Sequence, residues 1–162
     1  YIFAKKHNYD YVIRFDADGQ HIAGEIPKLL QRLKNGKCDL SLGSRYIEDC
    51  YRSPFLRKFI SKIISKILFL YLGKTIKDPT SGFRVMNKKV ISLFTQQYPH
   101  DYPEVEELLI LAKHGLRIEE VPVKMRSRMR GKSTLSLSKS IFYVFKIFLV
   151  LTLDLFRLKT EL

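Results

Sequence analysis

The chain has 162 residues, with 29 Lys and Arg against 16 Asp and Glu, a formal net charge of +13 and 46% hydrophobic residues. That length suits one domain with a real core, and the charge balance favours anionic partners: nucleic acid, phosphorylated ligands or an acidic membrane face. Two cysteines, Cys38 and Cys50, are too few for a disulfide framework and match no metal-ligand spacing, so they read as free thiols in a reducing compartment.

The sequence opens at Tyr1, and YIFAKKHNYD reads as the end of a helix running into a strand, so a preceding part of the domain is expected upstream. In YVIRFDADGQH (11–21), Tyr11, Val12, Ile13 and Phe15 are strand formers, and Gly19 lets the chain turn sharply. This strand is expected to be buried, with Asp16 and Asp18 at its carboxyl end, where open α/β sheets bind ligands. EIPKLLQRLKNG (25–36) predicts a helix with Pro27 in its first turn and Gly36 as its stop. CDLSLGSRY (38–46) predicts a second strand carrying Gly43, Ser44 and Arg45 at its tip. SPFLRKFISKIISKILFLYLG (53–73) gives the clearest helix. Its pattern places Leu56, Phe59, Ile60, Ile63, Ile64, Ile67, Leu68 and Tyr71 on one side and Arg57, Lys58, Ser61, Lys62, Ser65 and Lys66 on the other.

DPTSGFRVMN (78–87) reads as a turn entering a strand, followed by helices near 88–94 and 104–114, the latter ended by Gly115. RIEEVPVKM (117–125) predicts an edge strand, because Pro122 cannot donate a ladder hydrogen bond. RSRMRGKST (126–134) is a basic loop, and SIFYVFKIFLVLTLDLFRL (140–158) is apolar almost all round. A membrane span needs about 20 predominantly apolar residues. Lys146 and Asp154 interrupt this run, which therefore reads as an interfacial helix or one buried against a partner. The 53–73 helix fits either a membrane surface, its lysines toward headgroups, or a core-facing stripe with a solvated basic face.

Two carboxylates one residue apart at a turning strand end can converge on one hard cation. Oxygen donors suit Mg²⁺ or Mn²⁺, whose coordination is completed by water and substrate phosphates. Gln20 adds a neutral oxygen, and an ion so held can neutralise a diphosphate leaving group. The competing reading is two acidic turn residues capping the helix at 24–34, and Asp-x-Asp alone does not separate the two. FDADGQ also comes close to the signature of haloacid-dehalogenase-like phosphatases, whose first Asp is the nucleophile. Here Gln20 replaces the usual Thr, and beyond Glu120 the acidic residues are Asp154 and Glu161, so the later acidic pair of that chemistry is missing.

DADGQH (16–21), GSRY (43–46), SPFLRKFIS (53–61), DPTSGFR (78–84), EEVPV (119–123) and RMRGKS (128–133) follow one another across most of the chain. In that order they resemble family-two glycosyltransferases of the GT-A fold, nearest the polyprenyl-phosphate, dolichyl-phosphate mannose synthase-like branch. The resemblance implies an α/β, Rossmann-like sheet with helices on both faces. Residues 1–137 would form the carboxyl-terminal two-thirds of the GT-A domain and 138–162 an apolar, membrane-interfacial helix. The strand-helix-strand unit that holds the donor's base and ribose in that family, opening near Pro-x-Tyr-Asn-Glu, is expected upstream.

The same resemblance implies roles. Asp16, Asp18 and Gln20 would gather Mg²⁺ or Mn²⁺ against the donor diphosphate, and Asp16 can instead touch the donor ribose or sugar. Arg45 would meet phosphate just past its strand, and Arg57 and Ser61 would hold the acceptor phosphate. Arg128, Gly131 and Ser133 lie on a loop expected to close over the phosphates, with Lys132 standing where many relatives carry an acidic or polar residue. Asp78 and Arg84 are expected to pair and set the site wall. Glu104, Glu106 and Glu107 cluster where carboxylates favour a helix dipole. Glu106 and Glu107 are also candidates for a catalytic base, which a sugar hydroxyl acceptor needs and a polyprenyl phosphate does not. His21 reads as a packing or hydrogen-bonding residue.

The implied reaction is a metal-assisted, inverting single displacement from a nucleotide-diphosphate sugar to a polyprenyl phosphate or a glycan precursor, at the cytoplasmic face of a membrane. Two other classes compete. A nucleic-acid-binding module would interleave aromatic and basic residues on a sheet, whereas most Tyr and Phe here fall in apolar stripes. A non-catalytic membrane-docking fragment would bind vesicles indifferently to Asp16→Asn.

Overall fold

In the computed structural model, residues 1–48, 55–99 and 103–126 are described, together with Phe142, Phe145, Phe148 and Leu149. Four short strands form the sheet: β1 (Tyr11–Arg14), β2 (Leu40–Ser44), β3 (Arg84–Asn87) and β4 (Ile118–Pro122), in the order β1-β3-β2-β4. β3 runs antiparallel to β1 and β2, while β2 and β4 are parallel, so the sheet is mixed. The helices are α1 (Ile2–Lys6), α2 (Ile26–Lys34, entered through a 3-10 turn at Ala23–Glu25), α3 (Phe55–Leu72), α4 (Lys88–Phe94) and α5 (Pro103–Lys113).

Strand alternation sorts the side chains into two cores. Leu40, Leu42, Met86 and Ile118 pack with Ile60, Ile64 and Leu68 of α3, Val90 and Phe94 of α4, and Val105, Leu108 and Leu111 of α5. Phe83, Val85, Val121 and Val123 pack with Leu29 and Leu33 of α2 on the opposite face. Helices therefore cover both faces, as expected. Local signals fix several ends. The Asn87 side chain accepts the N–H groups of Lys89 and Val90 and so caps α4, while Gly115, at φ 64°, lets the chain leave α5 in a left-handed turn.

Two expectations are corrected. β1 is not a buried strand: it lies at one edge of the described sheet, with Ile13 39% and Phe15 48% exposed. β4 holds the other edge, as Pro122 requires. Phe59, assigned by the helical pattern to the core side of α3, is 52% exposed, and Ser61 and Ser65, assigned to the solvated side, are buried. The physical reason lies in the 100° step of a helix. With Ile60, Ile64 and Leu68 facing the sheet, the far side of the helix presents Phe55, Phe59, Lys62, Lys66, Phe69 and Leu70, while the 74–77 connection covers the serine flank.

Among the described residues no helix is long and apolar enough to cross a membrane. The expected interfacial helix at 138–162 lies outside the described residues except for Phe142, Phe145, Phe148 and Leu149, which are helical and exposed.

Candidate active site

The acidic turn leaves β1 at Phe15 and returns at His21. Asp16 is exposed and Asp18 half-buried, the Asp18 Oδ1 accepting the Gln20 N–H at 3.0 Å, while Gln20 itself is buried. The Asp16 N–H donates to Nδ1 of His21 at 3.0 Å, and the imidazole stacks on Phe83 with centroids 5.1 Å apart. His21 is thus a hydrogen-bonding and packing residue. Burial lowers its pKa, against the opposing pull of Asp16 and Asp18, and Arg45 and Asp78 also lie within electrostatic reach of it. Four of the sequence-predicted side chains thus act electrostatically on one imidazole.

The turn is backed by a segment more than 60 residues away. A Cβ on Gly82 would fall 2.7 Å from Oδ1 of Asp16, so the missing side chain makes the space in which that carboxylate stands. From the other side, Arg126 donates its N–H to the Gln20 carbonyl at 2.8 Å, and His21 bridges Met125. The basic loop that begins at Arg126 is therefore rooted on the acidic turn.

Arg45 and Asp78 form the wall beside it. Arg45 Nε and Nη2 each donate to the Asp78 carboxylate at 2.6 Å, the Arg45 N–H adds a third bond at 3.0 Å, and both side chains are buried. The Arg45 guanidinium also lies over the Tyr46 ring, 5.4 Å from its centroid. Glu120 accepts the N–H groups of Lys77 and Asp78 at 2.8 Å each. Burial raises its pKa, partly offset by those two hydrogen bonds.

Asp78 and Arg84 do not pair as expected. Arg84 is wholly buried and donates from Nη1 to Oε2 of Glu107 at 2.7 Å; Nε and Nη2 hold the carbonyls of Ser81, Pro79 and Glu104. The other Glu107 oxygen accepts from Arg14, so one buried carboxylate serves two guanidinium groups. Asp78 is already saturated by Arg45, and Arg84 comes off β3 on the α5 side; the pairing is exchanged accordingly. Ser61, expected on the acceptor side, is buried and donates its hydroxyl to the Lys77 carbonyl at 3.1 Å. Glu106 is half-buried on α5. Arg57 falls within α3, but its side chain, like Arg128, Gly131, Lys132 and Ser133, lies outside the described residues.

Sequence reasoning missed Arg14, Asp39 and Glu120. Arg14 carried a signal, as the one cation inside the apolar run YVIRF. Asp39 accepts from the Asn87 amide and the Arg117 N–H, each at 2.9 Å, and so pins the starts of β2 and β4 to the end of β3; nothing in CDLSL announced this.

The turn's donors are hard oxygens, which fit Mg²⁺ or Mn²⁺. Among the described residues no group of three His, Cys, Asp or Glu side chains gathers. The turn thus offers two carboxylates, and further ligands would come from Gln20, water and substrate oxygens, the usual habit of Mg²⁺.

A mixed sheet covered on both faces by helices, with an acidic turn at its rim, defines an α/β domain. The model of the glycosyl transferase family 2 matches residues 2–94, more than half of the 162-residue chain, and the chain belongs to that family. It is similar to a dolichol-phosphate mannosyltransferase of Pyrococcus furiosus, 38% identical over 137 residues that cover 82% of this chain and 38% of the relative. A UDP-N-acetylglucosamine–dolichyl-phosphate N-acetylglucosaminyltransferase of Methanococcus voltae is 34% identical over 71% of this chain and 47% of its own length. A polyprenol monophosphomannose synthase of Mycolicibacterium smegmatis is 28% identical over 88% of the chain and 55% of its own. The chain thus spans roughly two-fifths to just over half the length of these relatives.

Proposed function

We propose that this chain carries the metal and acceptor side of a GT-A glycosyltransferase, which moves a sugar with inversion from a nucleotide-diphosphate donor to a polyprenyl or dolichyl phosphate. Family membership and the acceptors in the relatives' names support the reaction class. The observation that carries the reading is the meeting, at one end of the sheet, of the acidic turn, the Gly82 loop and the root of the basic loop.

In this reading Asp16, Asp18 and Gln20 hold Mg²⁺ or Mn²⁺. Bound there, the ion supplies positive charge against the departing diphosphate. The basic loop, with Arg128, Lys132 and Ser133, leaves beside the turn at Arg126 and brings cations to the same phosphates. Arg57 orients the acceptor phosphate from the start of α3. Arg45 and Ser61 take positioning roles instead of direct phosphate contacts, because Asp78 and the Lys77 carbonyl already occupy them. A polyprenyl phosphate is anionic and needs no base. Glu107 fits a positioning role, since its two oxygens already hold Arg14 and Arg84.

The exposed Phe55, Phe59, Phe69 and Leu70 of α3, with the lysines between them, support a peripheral position on the cytoplasmic face of a membrane, where a lipid-linked acceptor presents its phosphate.

The test is transfer of labelled sugar from nucleotide donors to a polyprenyl phosphate by the full-length protein. Asp16→Asn/Asp18→Asn is expected to lose about 10²-fold or more in rate, the scale of removing electrostatic stabilisation from a transition state. Normal transfer by that variant would falsify the metal assignment. A wild-type protein that binds vesicles and transfers nothing would favour a docking module instead.

A further inference from the structure

On β4, Glu120 follows Ile118 by two residues, so the two side chains lie on the same face of the sheet. Leu40, Leu42, Met86 and Ile118 form an apolar row there against α3, α4 and α5, and Glu120 stands beside Leu42 in the β2–β4 register. A half-buried carboxylate in such a row needs hydrogen-bond donors. It finds them in the backbone of the connection that follows α3: Oε2 accepts the Lys77 N–H and Oε1 the Asp78 N–H, each at 2.8 Å. The two donors are consecutive, so one carboxylate orients two successive peptide groups.

The residues so held lead to two parts of the site. Asp78 takes Nε and Nη2 of Arg45 at 2.6 Å and the Arg45 N–H at 3.0 Å, just past the end of β2. The Lys77 carbonyl accepts the Ser61 hydroxyl at 3.1 Å, and Ser61 lies one turn after Arg57 in α3. Two residues of the connection therefore join the tip of β2, the first turns of α3 and β4. The acidic turn has other supports, the space left at Gly82 and the Arg126 N–H.

We infer that Glu120 is a positioning residue for the acceptor: it holds the Lys77–Asp78 segment in the arrangement that sets the Arg45 wall and the first turns of α3 around an incoming phosphate. Glu120 acts through Asp78 and the Lys77 carbonyl, not on a reacting atom. The inference rests on the polyprenyl-phosphate reading above.

The experiment measures sugar transfer by the full-length protein from labelled GDP-mannose and UDP-N-acetylglucosamine to farnesyl phosphate, a short polyprenyl phosphate. KM is taken separately for donor and acceptor. Glu120→Gln sets an amide NH2 against one of the two backbone N–H groups. It is expected to raise KM for farnesyl phosphate about tenfold, the scale of a lost hydrogen bond to a charged group, and to leave the donor KM within about twofold. Glu120→Asp keeps both oxygens and the charge; it should show the same split at smaller size, and it decides the matter if the Gln variant does not fold. With Asp78→Asn already present, Glu120→Gln should add less than about twofold, because both act through one contact. Asp39→Asn, away from this connection, should lower the melting temperature and leave both KM values within about twofold. Equal rises in both KM values, a lower melting temperature with both unchanged, or full additivity with Asp78→Asn would overturn the proposal and leave Glu120 a structural anchor. A wild-type protein that transfers neither sugar would overturn the acceptor reading itself, and this inference with it.

Discussion

Gly82 and Asp39 show two ways a single residue acts through a distant one. The Asp16 carboxylate occupies the space a Cβ on Gly82 would take. Asp16 is exposed and can swing aside, so Gly82→Ala should barely change thermal stability. It should instead weaken Mn²⁺ binding and transfer by about tenfold or more, the usual effect of disturbing a ligand's support. Titrating Mn²⁺ by electron paramagnetic resonance alongside a melting curve separates the two effects. Asp39 acts on stability. Burial alone would raise its pKa, but the Arg117 N–H, the Asn87 amide and the Arg117 and Lys89 charges outweigh that and hold it below the usual carboxylate range. A carboxyl depressed in the folded state contributes stability above its unfolded pKa and loses it as pH falls through the folded value. Asp39→Asn should therefore cost about 2 kcal/mol at pH 7 and progressively less as pH falls below about 4. Urea unfolding at several pH values reads this directly; a pH-independent loss would count against it.

At the scale of elements, Glu107 joins three pieces. It comes from α5, holds Arg14 at the end of β1 and holds Arg84 of β3, whose guanidinium also binds the carbonyls of Pro79, Ser81 and Glu104. The strand bearing Asp16 and the loop bearing Gly82 are thereby referred to the same helix. Removing one partner of a buried ion group leaves charge uncompensated, typically at about 3–5 kcal/mol. Glu107→Gln is expected to destabilise on that scale, measured by urea unfolding, and to leave the pH profile of the remaining transfer unshifted. A profile that lost its limb for a deprotonated base would restore Glu107 as that base.

Across the whole molecule, a net charge of +13 sits beside exposed aromatic side chains on α3. Charge attraction to an anionic surface fades beyond a Debye length, about 10 Å at 0.1 M salt and 3 Å at 1 M. Apolar insertion does not fade with salt. Vesicle binding should therefore fall steeply between low and high salt but level off above zero, and Phe55→Ser/Phe59→Ser should remove the residual. Sedimentation across a NaCl series checks both; binding abolished by salt in the wild-type protein would leave the rings without a role.

The periodic and covalently local features of this chain were legible in its sequence. β3 and the helix after it, the edge position forced by Pro122 and the acidic turn all follow from spacing and from glycine and proline chemistry, which act over a few residues; the two helix-covered faces were implied by the family resemblance. The ion pairs were not legible. Whether Asp78 meets Arg45 or Arg84, which guanidinium groups Glu107 meets, and which flank of α3 is buried depend on which segments cross, and a helical pattern with lysines and apolar residues on neighbouring faces leaves that rotation open. Tertiary structure decided them, because a buried charge must be neutralised by whatever opposite charge the fold brings within reach, however far away it lies in the chain.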